Sequence, residues 1–308
     1  MTIRLRGAAL AAALSVLIAA CGTTGTPTGS PAPSRAPGAS APTIVPIPIT
    51  QLFRVGENRV VFTLTDPSGQ KQVAAPDRTL AIAYRGPKGE TISAARQTFI
   101  WAIEGVNGVY AGHATFPFAG AWTADFTTAA SGSPSETTTF GFDVHQTITV
   151  ISPGDGAPSV DTPTSADVGG DLAKISSDPK PIARFYETSE ADALAAKKPF
   201  VLIFATPKFC VSTVCGPTLD KLKPVAAAHP DLTFINVEPY VLRFADGSLQ
   251  PVMTGSDLTP APATLAYGLV SEPVVYVVGA DGKVAASFEQ VFSPDEIEAA
   301  IKQVEGPG

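Results

Sequence analysis

Pro199-Phe200-Val201-Leu202-Ile203-Phe204-Ala205-Thr206, followed by Cys210-Val211-Ser212-Thr213-Val214-Cys215-Gly216-Pro217, is the stretch on which the reading turns. A continuous apolar run of this length predicts a strand buried on both faces, as in parallel sheets. Two cysteines stand at the strand's C-terminal end, with four residues between them. A helix is predicted over residues 216–228. Residues 232–237 and 273–278 read as further strands. Gly279-Ala280-Asp281-Gly282 reads as a hairpin turn and 284–288 as the returning strand. Ser293-Pro294-Asp295-Glu296 supplies an N-cap Ser, a Pro at the first helical position and a Glu at the third, which opens a last helix to about residue 304. Ser189 caps a helix over 193–197.

This order, with a cysteine pair between the first core strand and its helix, is similar to the thioredoxin superfamily over residues 181–305. The resemblance implies an α/β thioredoxin-like fold and thiol–disulfide exchange, with Cys210 attacking and Cys215 resolving. It places Pro273, in Glu272-Pro273, where that family carries a cis-proline facing the active site. The motif departs from the family's Cys-x-x-Cys. Gly216-Pro217 follows the second cysteine, Phe209 stands at the family's Trp position, and Ile203 at the position of thioredoxin's buried acid. Copper delivery in this superfamily would need a later His, yet the last one is His229.

Spacing limits how the two sulfurs can meet. Five residues turn a regular helix by about 500°, leaving the side chains about 140° apart. A bridge therefore requires Cys210 in the loop and Cys215 in the first helical turn, with Cα atoms within roughly 7 Å. A helix N-terminus favours an exposed thiolate and makes it a better attacking group. Two readings stay open: a redox-active pair, and a static disulfide pinning loop to helix.

Working toward the N-terminus, residues 151–180 form an acidic, Pro-rich linker with Asp155, Asp161, Asp167, Asp171 and Asp178, whose spacing is not that of a calcium loop. Residues 44–150 alternate with period two. Arg59-Val60-Val61-Phe62-Thr63-Leu64-Thr65 runs into the turn Asp66-Pro67-Ser68-Gly69. Further strands are expected at 79–84, 98–103, 109–116, 122–127 and 137–144. About seven short strands predict an all-β, Ig-like sandwich, and the Gly108-Val109-Tyr110 and Gly120-Ala121-Trp122 runs resemble the last strands of extracytoplasmic Ig-like modules. Trp101 and Trp122 read as core anchors. His113 and His145 lack the clustering that a soft-metal site needs. The whole is thus expected to be multi-domain: an Ig-like sandwich followed by an α/β thioredoxin-like fold.

The first 20 residues read as an export signal. Arg4 and Arg6 precede an apolar run too short to span a bilayer comfortably. The run ends Leu17-Ile18-Ala19-Ala20-Cys21-Gly22, which resembles the lipobox of bacterial lipoproteins. That resemblance implies cleavage before Cys21, acylation of its thiol, and a membrane partner engaged through lipid on the extracytoplasmic side. Residues 21–43, rich in Pro, Ser and Thr, form a tether. A net charge of −7 with no run of Lys/Arg argues against nucleic acid as a partner, and losing Arg4 and Arg6 takes it to −9, which argues against polybasic contact with anionic lipid. Three cysteines in all are too few for a four-cysteine metal site. No cofactor and no metal is expected; the expected partner is an exported protein, met either as exchange substrate or by a non-catalytic adaptor.

Overall fold

The computed structural model describes residues 42–306; Cys21 and the export signal lie outside the described residues. Nine strands come first: β1 (Val45–Pro48), β2 (Phe53–Arg54), β3 (Gly56–Thr65), β4 (Arg78–Arg85), β5 (Thr91–Arg96), β6 (Thr98–Ile103), β7 (Asn107–Phe116), β8 (Gly120–Ala130) and β9 (Glu136–His145). They form two sheets, in the orders β1-β3-β7-β6 and β2-β9-β8-β4-β5. All neighbours are antiparallel except β2 and β9.

Strict alternation drives this pairing. β8 buries Trp122, Ala124, Phe126 and Thr128 and turns the residues between them outward. Between the sheets, Phe53, Phe62, Tyr84, Phe116, Trp122 and Phe126 interlock. Trp122 meets Phe116 edge-on at 5.1 Å and Phe62 meets Phe126 at 4.7 Å, the arrangement the ring quadrupole favours. The Trp122 indole N–H donates to the Phe118 carbonyl at 3.0 Å, so the buried ring leaves no polar atom stranded. The three strands that sequence periodicity missed, β1, β2 and β5, all lie at sheet edges, where one flank is free and the apolar signal is weakest.

The remainder comprises α1 (Glu190–Ala195), β10 (Phe200–Phe204), α2 (Cys215–Ala228), β11 (Thr233–Val237), β12 (Leu242–Ala245), β13 (Ser248–Pro251), β14 (Met253–Thr254), β15 (Asp257–Leu258), α3 (Pro262–Ala266), β16 (Val274–Val278), β17 (Val284–Glu289) and α4 (Pro294–Glu305). β11-β10-β16-β17 make a mixed sheet in which only β10 and β11 are parallel. β10 is buried along its whole length. Its Val201 and Ile203 face Leu219, Leu222, Ile297 and Ile301, while Phe200, Leu202 and Phe204 face Tyr267, Tyr276 and Ala193. Each such side chain stabilises the fold by roughly 1.5–3 kcal/mol. α4 opens with a capping box: Ser293 Oγ accepts from the Glu296 N–H, and Glu296 accepts from the Ser293 N–H.

This architecture corrects the expected fold class. The protein is predominantly β, 39% strand against 18% helix, with several sheets and four short α-helices among the described residues. An Ig-like sandwich followed by an α/β thioredoxin-like fold does not describe it. An apolar strand buried on both faces does not require parallel neighbours; here β16 is buried along its whole length between two antiparallel neighbours, β10 and β17. Residues 242–258 form two small hairpins, β12–β13 and β14–β15, and residues 151–189 run mainly as extended chain and 3₁₀ turns. The sandwich has nine strands, split four and five.

The two halves share a core. Val214 and Val291 pack with Val61, Ile100, Ala102, Val109 and Ala111 of the sandwich. Arg59 forks onto Glu296, at 2.7 and 3.0 Å, and also donates to the Val291 carbonyl. Lys221 Nζ donates to the Trp101 carbonyl at 2.6 Å.

Candidate functional site

Cys210 and Cys215 are joined in a disulfide, with their Cα atoms 6.1 Å apart. Cys210 lies in the loop after β10 and is half-buried; Cys215 is the first residue of α2 and is fully buried. The helix can start here because Pro217, in its first turn, lacks only an N–H that would have no intrahelical acceptor. The first helical bond runs from the Thr218 N–H to the Val214 carbonyl at 2.9 Å. Within the loop, Thr213 takes a positive φ of 65°, a conformation uncommon outside glycine.

Cys210 Sγ accepts from the Cys215 backbone N–H at 3.3 Å, and Ser212 Oγ lies 3.3 Å from the same sulfur. Ser212 Oγ donates to the Glu272 carbonyl at 2.7 Å, so its single proton is committed there and the backbone N–H alone serves the sulfur. Glu272 and the cis-linked Pro273 precede β16. Glu272 is only 7% exposed, and a carboxylate oxygen of it lies within 4.8 Å of both sulfurs. Its Oε1 accepts from the Val211 N–H at 2.9 Å and its Oε2 from the Tyr240 hydroxyl at 2.8 Å. Burial, reinforced by the neighbouring Glu272, pushes the Tyr240 hydroxyl well above its usual value, so it remains a donor.

The structure thus brings together Cys210, Cys215 and the segment that holds Pro273. It leaves His113 and His145 exposed on the sandwich; His113 pairs with Glu57. His229, at the far end of α2, sits between Glu298 and Glu305. Sequence reasoning missed Glu272 and Tyr240. Only the reading of the following proline pointed near them, and nothing local signals that a carboxylate 62 residues after Cys210 turns back onto the sulfurs.

No family model and no curated protein matches the chain. Among solved structures, it is similar to a DUF4426 family protein from Pseudomonas aeruginosa at 13% identity and a TM-score of 0.24, over 30% of this chain and 68% of that one. A family 76 glycoside hydrolase from Bacteroides thetaiotaomicron matches at 16% identity and a TM-score of 0.20, over 31% of this chain and 20% of the other. The cell-surface-expressed chitinase ChiW from Paenibacillus matches at 15% and 0.23, over 64% and 17%. The chain therefore spans about a fifth or less of the latter two. The predominantly β architecture described above, with several sheets and only short helices, corrects the resemblance to the thioredoxin superfamily and to Ig-like modules drawn from the sequence.

Proposed function

We propose that Cys210–Cys215 is an exchangeable disulfide that reacts with thiols of exported proteins, on a chain held outside the cytoplasm by lipid on Cys21. One observation carries the reading: a partly exposed sulfur is bonded to a sealed one at a helix N-terminus, with a buried carboxylate beside both. An incoming client thiolate reaches Cys210 Sγ. A bond forms between client and Cys210, the Cys210–Cys215 bond breaks, and Cys215 leaves as thiolate. The first-turn N–H groups of α2 favour that negative charge. A second client thiolate then attacks the client sulfur of the mixed disulfide and releases Cys210. The client loses two electrons and two protons to the pair; the reverse sequence reduces a client disulfide.

The loop closed by the bridge also supports exchange over stapling. Closing so short a loop constrains the unfolded chain by only about 2 kcal/mol in the entropic account. The full burial of Cys215 favours the second reading, a structural staple in an adaptor protein. Thiol trapping across a glutathione series separates the two. Exchange requires a reversible couple at roughly −120 to −270 mV, and a bridge still closed below about −300 mV would make it a staple.

A further inference from the structure

We propose that the reduced pair, together with Glu272, forms a binding site for a thiophilic divalent cation, with zinc as the reference ion. The inference rests on the exchange reading only in needing the bridge to open. Cys210 Sγ, Cys215 Sγ and a Glu272 carboxylate oxygen all lie within 4.8 Å of one another. Tetrahedral zinc holds sulfur at about 2.3 Å and carboxylate oxygen at about 2.0–2.2 Å, which sets donor atoms roughly 3.5–3.8 Å apart. Opening the disulfide separates the sulfurs toward that spacing, and the carboxylate closes by about an ångström or less.

The supporting groups suit a metal ligand. Glu272 is fixed by the Val211 N–H on one oxygen and the Tyr240 hydroxyl on the other. Each oxygen keeps a second lone pair, and outer hydrogen bonds of this kind orient ligating carboxylates. Two thiolates and a carboxylate would bring three negative charges into a mostly buried space, and a divalent cation offsets two of them. Cys215 and Glu272 form the closed back of the site, while half-buried Cys210 and the 77% exposed Val211 mark its open side. That leaves the fourth coordination position to water or to a client group. Two thiolate donors select zinc over magnesium or calcium.

A phosphine or dithiol supplies two electrons and the solvent two protons to open the bridge; the cation then displaces both thiol protons. A metal-held pair cannot re-form its disulfide until the ion leaves, so occupancy would shut off exchange.

The test is a cobalt(II) titration of the full mature chain, phosphine-reduced and oxidised, followed by zinc displacement. The reduced chain should bind one ion with a thiolate-to-cobalt band, release two protons and give the ion up to zinc; the oxidised chain should show no such band. Glu272→Gln should weaken binding at least tenfold, and Tyr240→Phe by a smaller factor while the sulfurs stay intact. Absence of the thiolate band in the reduced chain overturns the site. Coincident curves for E272Q and wild type remove Glu272 from it, and so overturn it as proposed. Glutathione titration of the same preparation separates the two readings. A bridge that opens only to phosphine, yet then binds cobalt, ends the exchange reading and leaves the metal site standing; the opposite pattern does the reverse.

Discussion

Two carboxylates occupy the same end of the mixed sheet and live in opposite circumstances. Glu272 precedes β16 and has both oxygens bonded, beside the sulfurs. Glu289 closes β17, where it stands opposite Val274, and its Oε2 is sealed from solvent without a partner. It lines a cleft of about 520 Å³ between β17 and the sandwich that neither cysteine reaches. Burial pushes Glu289 up to about 7, against the pull of Arg59 and of the Gln51 N–H. The sheet end therefore has one acid whose two oxygens are both held by donors and one that folding forces toward its neutral form. The first is a tool of the sulfur site; the second is a cost of joining two halves.

The largest effect should come from the sulfurs themselves. Cys210→Ser is expected to abolish mixed-disulfide formation, whereas Cys215→Ser should accumulate it, since the attacked sulfur remains and the resolving one is gone. Non-reducing gels with a model peptide carrying an activated disulfide, whose leaving thiol is released as the mixed disulfide forms, read this directly, and equal trapping by both variants would break the assigned roles.

Next comes Glu272→Gln. Removing a negative charge beside the pair favours its reduced, thiolate-bearing form, so the couple should become more oxidising by about 30 mV, the equivalent of about 1.4 kcal/mol. An unchanged potential would reduce Glu272 to a packing role.

Glu289 sharpens the contrast from the other side. Its folded-state value near 7 lies above the ordinary 4.5, so the folded protein holds this proton longer than the unfolded chain. Stability should fall as pH rises from about 4.5 to about 7 and level off above. Because the residue is only partly buried as a whole, about 2 kcal/mol is the expected loss. Denaturant melts at pH 5.5 and 8 measure it, and Glu289→Gln should flatten that slope. A smaller effect, about 1 kcal/mol, is expected for Val214→Ala, which thins the shared core behind Cys215; melts that do not move would mean the sandwich does not brace the loop.

What the sequence made legible followed from local physics. The apolar run at 200–204, the Ser293 cap, the turn at Asp66 and the Trp122 anchor each announce themselves within a few residues. The cysteine pair was visible for the same reason. Glu272 was not, since its role comes from a long-range return of the chain. Glu289 was hidden because the alternating pattern of β17 says nothing about the sandwich standing across from it. The fold class was misjudged where the order of one strand, a cysteine pair and a helix stood in for the balance of strand and helix, 39% against 18%, which short edge strands and small hairpins tip toward β.

Glu190 has a practical consequence for anyone wishing to cut this protein apart. Its fully buried carboxylate accepts the Val160 N–H on one oxygen and the Tyr267 hydroxyl on the other. The same stretch is laced to the next hairpin by the Ala157 N–H to Gly282 and the Val284 N–H to Asp155. A truncation beginning near residue 181 would strip a buried acid of one of its donors and free the edge of β17. Proteases should find residues 151–189 poor cutting ground, and a dissected C-terminal half should express worse than the joined chain.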